Sequence, residues 1–436
     1  MSSGILSRRF VFSGGRVIDP AAGVDAVRDV VVADGVVAGP EAAEGAERID
    51  ARGLVIAPGL VDLHTHLREP GDEHKETVAT GTRAAALGGY TAVAAMANTR
   101  PVADNAAVIQ AVRDLATAAG LCDVFPVGAT TRGLGGEVLA EMGEMVAAGV
   151  RVFSDDGLPV PTARLLRNAL LYVRAFGDDV VIAEHAEDGS LVEGGHMHEG
   201  IRSASLGLAG RPSEAEEIVV ARDLALARAT GGRLHLCHLS SARAVELVRR
   251  AKEEGVRVTA EVTPHHLTFT DEDLLTYDTN RKVNPPLRSA EDRDALRRGL
   301  ADGTIDAVAT DHAPHAVEEK DAEFDLAPPG TIGLETALGA VITALVEPGH
   351  VSLSRAIEAM STTPARILGA GEHGGPIAPG SQANLVVFDP EQERVVEPPF
   401  ASKARNSAFL GRRLRGAVLY TVLRGDLVVA EGKPTR

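Results

Sequence analysis

The alternation of apolar and amphipathic segments along residues 58–368 is the feature that most constrains the fold. Segments of helical length include residues 105–118, 214–229, 242–254 and 290–300. They lie between eight apolar segments of strand length, which begin near Leu60, Thr91, Val124, Val150, Val180, Leu234, Val256 and Ile305. Eight successive strand–helix units predict an α/β chain whose parallel strands close into a (β/α)8 TIM barrel.

The two ends of the chain have a different pattern. Residues 9–57 and 379–430 contain short apolar strands separated by turns. Neither segment is long enough to bury a two-sided core alone, so we expect both to pair in one small, discontinuous β-sandwich packed on the barrel. The predicted domains are therefore a sandwich of residues 1–57 plus 369–436 and a catalytic barrel of residues 58–368.

The composition excludes several classes of partner. With 61 acidic and 44 basic residues the formal charge is −17, which argues against binding to nucleic acid or to an anionic membrane. Cys122 and Cys237 both lie in apolar segments, so no disulfide framework is indicated. Residues 1–9 lack the apolar run of a signal peptide, and no segment has the length of a membrane span. We therefore predict a cytoplasmic location.

The first predicted barrel strand ends in a metal-binding pattern. His64 and His66 are two residues apart, so on an extended chain both imidazoles point to one side and can share a divalent metal ion. Arg68 would stand on the same side, where it could hold a substrate anion beside the metal. This combination is typical of metal-dependent hydrolases.

The eighth predicted strand ends in a similar cluster, which contains Asp311, His312 and His315. An isolated histidine is usually a structural core residue, but two such clusters at strand ends favour a metal site. Barrel enzymes place their chemistry at the C-terminal ends of the strands. Other candidates at those ends are Asp155, Asp156, His185 and His238. Several imidazoles with two carboxylates suit a pair of zinc ions, and a carboxylate between the ions would bridge them.

These motifs resemble those of dihydroorotase, specifically the bacterial class I enzymes of the amidohydrolase superfamily, over nearly the whole chain. The matching segments are Asp62-Leu-His64-Thr-His66-Leu-Arg68-Glu-Pro-Gly71, Phe153-Ser-Asp155-Asp156-Gly157, Glu184-His185-Ala-Glu-Asp188, Asn284-Pro-Pro-Leu-Arg288 and Ala309-Thr-Asp311-His-Ala-Pro-His315. The resemblance implies reversible interconversion of N-carbamoyl-L-aspartate and L-dihydroorotate in de novo pyrimidine biosynthesis.

The resemblance also implies roles for individual residues. It implies two zinc ions per chain, held by His64, His66, Asp156, His185, His238 and Asp311. Asp156 would bridge the ions, and Asp311 would take a proton from the attacking water and deliver it to the leaving nitrogen. Arg68, Asn98 and His315 would hold the substrate carboxylate, and Asn284 would lie near the pyrimidine ring.

The bridging ligand has two candidates in this sequence, Asp155 and Asp156. Hydantoinases and the dihydroorotases of animals and some bacteria bridge their metals with a carbamylated lysine on the fourth strand, where this chain has Arg151. A guanidinium stays protonated at neutral pH and cannot form that carbamate. We therefore expect no carbamylated lysine and a bridge by Asp156, with Asp155 as the alternative. We expect Asp155 to bond nearby backbone amides instead.

Two other functions fit parts of the sequence. Another cyclic amidase, such as allantoinase, hydantoinase or dihydropyrimidinase, would share the metal ligands, but Arg68 favours a ring that carries a carboxylate. An inactive scaffold for aspartate carbamoyltransferase would have lost ligands, and every expected ligand is present. Assembly with that transferase is compatible with activity, and a homo-oligomer is expected.

Overall fold

The structure is a computed structural model that describes residues 9–436, so residues 1–8 of the predicted sandwich domain lie outside the described residues. The described chain begins with five strands before the barrel. They are β1 (Phe10–Asp19), β2 (Val24–Ala33), β3 (Val36–Ala38), β4 (Glu47–Asp50) and β5 (Val55–Pro58).

Eight parallel strands then form the barrel, and each begins within two residues of its predicted start. They are β6 (Leu60–Thr65), β7 (Tyr90–Ala95), β8 (Asp123–Pro126), β9 (Val152–Phe153), β10 (Val181–Glu184), β13 (Leu234–Leu236), β14 (Val258–Val262) and β15 (Ala307–Val308). A short parallel pair, β11 (Met197–His198) and β12 (Gly210–Arg211), lies in the connection after β10. Bridges between Gly128 and Phe153 and between Thr65 and His312 join the two barrel sheets, so the predicted closed barrel is confirmed.

The helices follow the predicted alternation. They are α1 (Val78–Leu87), α2 (Ala106–Ala119), α3 (Met142–Ala147), α4 (Ala163–Val173), α5 (Gly189–Val192), α6 (Ile201–Leu206), α7 (Glu214–Thr230), α8 (Ala242–Glu253), α9 (Pro264–Thr268), α10 (Ala290–Asp302), α11 (Val317–Lys320), α12 (Ala337–Val341), α13 (Leu353–Ile357) and α14 (Thr363–Leu368). Local sequence sets their ends. In α2 the side chain of Asn105 accepts the amides of Ala107 and Val108, and Gly120 ends the helix with a φ of 62°.

Shorter helical turns complete the connections. Turns of 3-10 helix span Pro40–Ala43, Arg132–Leu134, Arg174–Phe176, Asp271–Leu274 and Thr279–Arg281. Two π-helical turns, Ile342–Val346 and Glu358–Thr362, continue α12 and α13 respectively. Among residues 9–436, no helix is both long and apolar enough to cross a membrane.

The last four strands return to the strands of the N-terminal part. They are β16 (Leu385–Val395), β17 (Arg413–Leu423), β18 (Asp426–Ala430) and β19 (Lys433–Pro434). All nine terminal strands belong to one sheet, in which β16 runs antiparallel to β5. Phe12, Ile56, Leu385 and Val422 are buried in its apolar core, which draws on both ends of the chain. The expectation of a β-sandwich built from both termini is confirmed.

Candidate metal centre

Asp156 lies just beyond β9, surrounded by four histidines from other strand ends. Its Oδ2 atom is 3.1 Å from Nε2 of His64 and 3.4 Å from Nε2 of His66. Its Oδ1 atom is 3.1 Å from Nε2 of His238 and 3.4 Å from Nδ1 of His185. The two oxygens of one carboxylate therefore face two pairs of imidazole nitrogens, which is the geometry that a bridging ligand needs.

Asp311 completes the cluster, and its Oδ1 atom is 3.1 Å from Nε2 of His66. The donor atoms of His64, His66 and Asp311 lie within 4.8 Å of one another, and so do those of His64, Asp156 and His238. Nε2 of His64 is buried and, although it lies 3.1 Å from Oδ2 of Asp156, it forms no aligned hydrogen bond with any of residues 9–436. Imidazole and carboxylate donors suit zinc, so these residues fit a metal ion.

The charges of the cluster support the same conclusion. Burial lowers the pKa of His64, but the carboxylates of Asp156 and Asp311 outweigh burial and hold that pKa well above its usual value. Burial likewise lowers the pKa of His185, but its bonds to Asp156 and Glu187 raise it to about 10. Two buried carboxylates thus attract positive charge at one point, which bound cations would supply.

Three residues of the site have backbone angles in the left-handed region. The φ angle is 31° at His238, 46° at Asp311 and 62° at Arg68. Such angles are uncommon for residues other than glycine and cost of the order of 1–3 kcal/mol each. Each of the three residues follows a barrel strand, so the tight turns aim these side chains across the barrel mouth.

Two of the ligand candidates contact another side chain through the ring nitrogen that faces away from Asp156. Nδ1 of His64 lies 2.9 Å from Glu261 on β14, and Nδ1 of His66 lies 2.9 Å from Oδ1 of Asn98. Glu261 was not among the predicted site residues, although a single acid inside an apolar strand is a detectable signal. Asn98, expected at the substrate, contacts His66 through its amide oxygen, and its amide nitrogen bonds none of residues 9–436.

The expected carboxylate-binding residues Arg68 and His315 lie on adjoining loops. Nε of Arg68 donates to the carbonyl of Pro314 at 3.2 Å. The ring of His315 is buried, and its Nε2 donates to the carbonyl of Pro329 at 2.9 Å. Burial and the charge of Arg68 lower the pKa of His315 to about 3. A carboxylate bound here would therefore meet the guanidinium of Arg68, and it would accept from His315 only after the ring turned its N–H away from Pro329.

Asn284 lies on another side of the cluster. Its Nδ2 atom donates to Oε2 of Glu187 at 3.0 Å and lies 3.3 Å from Nε2 of His185. Its Oδ1 atom accepts from Arg211. Asn284 therefore contacts the candidate ligand His185 and the partly buried ion pair between Arg211 and Glu187.

The alternative bridging residue, Asp155, points away from the histidines. Its Oδ1 atom accepts the backbone amides of Thr130 and Thr131, each at 2.9 Å, which confirms its expected structural role. Arg151 lies at the other end of β9 from Asp156, and its guanidinium donates to backbone carbonyls. The structure thus separates Arg151 from the cluster.

The fold and the histidine–aspartate cluster define an amidohydrolase-type barrel enzyme. The structure is similar to that of L-hydantoinase (dihydropyrimidinase) from Arthrobacter aurescens, with a TM-score of 0.88, 27% identity and coverage of 99% of this chain and 98% of that chain. It also shares its fold with dihydropyrimidinase from Brevibacillus agri, with a TM-score of 0.83, 24% identity and coverage of 98% of this chain and 96% of that chain.

Sequence comparisons give the particular family. A family profile described as dihydro-orotase-like matches residues 53–244. Dihydroorotase from Pelotomaculum thermopropionicum is 52% identical over 427 residues, which cover 97% of this chain and 99% of that protein. Dihydroorotase from Streptomyces coelicolor is 54% identical over 396 residues, which cover 90% and 92%. The chain belongs to the dihydroorotase family and is a cyclic amidohydrolase of pyrimidine metabolism.

Proposed function

We propose that this enzyme interconverts N-carbamoyl-L-aspartate and L-dihydroorotate with two zinc ions at the centre described above. The observation that carries the proposal is the position of Asp156, whose two carboxylate oxygens each lie within 3.4 Å of two imidazole nitrogens. The proposed ligands are His64, His66, Asp156, His185, His238 and Asp311, with Asp156 as the bridge. Zinc bound by them would activate a water molecule and polarise the ring carbonyl.

Asp311 is the proposed proton carrier. Burial raises its pKa, but the neighbouring His64 and His66 more than offset burial and hold that pKa below its usual value. The carboxylate is therefore ionised, so it has an unprotonated oxygen that can receive a proton from the attacking water. In hydrolysis it then donates the proton to the ring nitrogen as the amide bond breaks, and in ring closure the same steps run in reverse.

The proposed substrate contacts are of two kinds: some residues bind the carboxylate, and another lies against the ring. Arg68 and His315, together with the amide nitrogen of Asn98, would hold the carboxylate that the substrate keeps throughout the reaction. Asn284 would lie against the ring. Arg68 is the feature that favours a carboxylated substrate over hydantoin or dihydrouracil, which have no such group.

The domain bounds, the location and the assembly of the chain are also proposed. We propose a sandwich domain of residues 1–57 plus 369–436 and a catalytic barrel of residues 58–368, because β5 pairs with β16 and the barrel begins at β6. The cytoplasmic location, a homo-oligomer and assembly with aspartate carbamoyltransferase are predictions from the sequence. Light scattering would test the homo-oligomer, and co-elution with the purified transferase would test the assembly.

One experiment tests the substrate assignment. The purified enzyme is incubated separately with N-carbamoyl-L-aspartate, dihydrouracil, hydantoin and allantoin, and ring closure or opening is measured for each. We expect clear preference for the first, and a preference for any other would overturn the assignment. Metal analysis of the same sample should give two zinc ions per active chain, and fewer than one would exclude the two-metal mechanism.

A further inference from the structure

We propose that Asn406, in the segment between β16 and β17, is a positioning residue for Arg68 and His315. The proposal rests on the proposed function, which assigns the substrate carboxylate to those two residues. Asn406 belongs to the C-terminal part of the chain, outside the barrel, and it has 3% exposure. The terminal part of the chain would then help to shape the substrate site as well as cover the barrel.

The side chain of Asn406 holds a segment of three consecutive residues, Ala313 to His315. Oδ1 of Asn406 accepts the backbone amide of His315 at 3.1 Å, and Nδ2 donates to the carbonyl of Ala313 at 3.0 Å. Between them, the carbonyl of Pro314 accepts Nε of Arg68 at 3.2 Å. One side-chain amide therefore fixes both ends of the tripeptide whose middle carbonyl orients Arg68.

Asn406 also bonds the later part of the same loop, at Gly330 and Ile332. Nδ2 of Asn406 also donates to the carbonyl of Gly330 at 3.1 Å, and the backbone carbonyl of Asn406 accepts the amide of Ile332 at 3.0 Å. Gly330 has a φ of 141°, and a Cβ atom there would lie 2.8 Å from Nε2 of His315. Asn406 thus joins the two limbs between which the imidazole of His315 is seated.

The chemistry of the clamp explains why an amide is needed. The side chain accepts one backbone N–H and donates to two backbone carbonyls, so it must carry both an acceptor and donors. A carboxylate would place negative charge against the carbonyls of Ala313 and Gly330. An apolar side chain would leave these buried backbone groups unsatisfied, and each unsatisfied group is costly.

The test compares two substrates that share a ring and differ in the carboxylate. For Asn406→Ala, we expect the KM for L-dihydroorotate to rise by about 5- to 30-fold, because a loss of that size accompanies one or two misplaced hydrogen bonds. We expect kcat to change little and zinc content to stay unchanged. The KM for dihydrouracil, or its inhibition constant where turnover is too slow, should be unaffected. If the alanine variant does not fold, Asn406→Asp replaces it, because aspartate keeps the acceptor for His315 but loses both donors, and the same selective rise in the KM for L-dihydroorotate is expected.

Asn384 offers a matched control from the same part of the chain. It is also 3% exposed, and its side chain bonds the carbonyl of Glu372 at 2.8 Å and the amide of Arg424 at 2.7 Å. Both partners lie away from the loop that carries His315. Asn384→Ala should therefore lower thermal stability without raising the KM for L-dihydroorotate.

A double-mutant cycle with Arg68→Met separates positioning from general loss of stability. If Asn406 acts through Arg68, adding Asn406→Ala to Arg68→Met should weaken substrate binding by less than it does alone. Fully additive effects, or an equal loss for dihydrouracil, would overturn the inference while leaving the proposed function intact. If Arg68→Met itself leaves the preference for the carboxylated ring unchanged, the carboxylate assignment fails and the inference fails with it.

Discussion

Nδ1 of His64 lies 2.9 Å from Oε1 of Glu261, and neither side chain is accessible to solvent. The other oxygen of Glu261 lies 3.0 Å from Nε2 of His235, whose Nδ1 is 2.8 Å from the hydroxyl of Thr259. Burial raises the pKa of Glu261, but its bonds to His235 and His64 outweigh burial and lower it to about 2. An ionised carboxylate therefore fixes the His64 ring with Nε2 directed at the cluster.

We expect Glu261→Gln to weaken zinc binding. Glutamine keeps the size and one acceptor but removes the negative charge that holds the proton on Nδ1 of His64. Loss of such a supporting group commonly lowers metal affinity by about 10- to 100-fold. Competition with a chelator would measure the affinity. Glu246→Gln, at a glutamate on α8 that pairs with Arg249 and Arg250, is the control and should bind zinc normally. Equal affinities in both variants would show that Glu261 has no part in holding the metal.

Arg68→Met should weaken the binding of L-dihydroorotate and leave the zinc content unchanged. A charge-assisted pair contributes roughly 1.5–3 kcal/mol, which corresponds to a loss of about 10- to 150-fold. Methionine occupies much of the same volume, so the loop can keep its packing. The control is Arg100→Met, because Arg100 is exposed and its nearest carboxylate is Asp72 at 3.7 Å. Loss of zinc from the Arg68 variant would instead show a structural role and place the carboxylate elsewhere.

Asp311→Asn keeps the shape of the side chain but removes the base. Without proton transfer the rate of ring opening should fall by about 10²- to 10⁴-fold. The rate is expressed per bound zinc, because Asp311 is also a proposed ligand. Asp178→Asn, at an exposed aspartate paired with Arg257, should retain the normal rate. Near-normal turnover in the Asp311 variant would assign proton transfer to another group.

Much of the barrel could be predicted because its signals are local. An apolar strand, the residue at its C-terminal end and the helix that follows are neighbours in sequence. The prediction was less complete at Arg68, where strand alternation was assumed to continue. The strand β6 ends at Thr65, and Arg68 has a φ of 62°. Its side chain donates to the carbonyl of Pro314 and does not continue the alternation of the strand. Strand periodicity does not apply beyond the last strand residue.

The supporting residues were missed because their partners are distant in sequence. Glu261 and His64 are 197 residues apart, and Asn406 and His315 are 91 residues apart. These contacts exist only after the barrel has closed and the C-terminal segment has returned to its mouth. A single glutamate in β14 or a single asparagine after β16 has no local pattern that identifies its partner.

Asp156→Ala should lose zinc and activity together, whereas Asp155→Ala should lose them less severely. The carboxylate of Asp156 contacts the histidines, but that of Asp155 accepts the backbone amides of Thr130 and Thr131. Removal of Asp155 leaves those buried amides unsatisfied, which costs about 1–3 kcal/mol of stability for each group. Zinc analysis and thermal unfolding of the two variants would separate the effects. Equal loss of zinc in both variants would contradict the different roles.

The activity of this enzyme should be independent of bicarbonate. A bridge by Asp156 needs no carbon dioxide, whereas a carbamylated lysine forms only when carbon dioxide reacts with a neutral amine. Arg151, directly before β9, takes the sequence position of that lysine, and its guanidinium donates to the carbonyls of Val146 and Val150. Enzyme stripped of carbonate and reloaded with zinc should regain the same rate with and without added bicarbonate. Recovery that requires bicarbonate, or the signal of a lysine carbamate in a carbon-13 spectrum, would exclude Asp156 as the sole bridge.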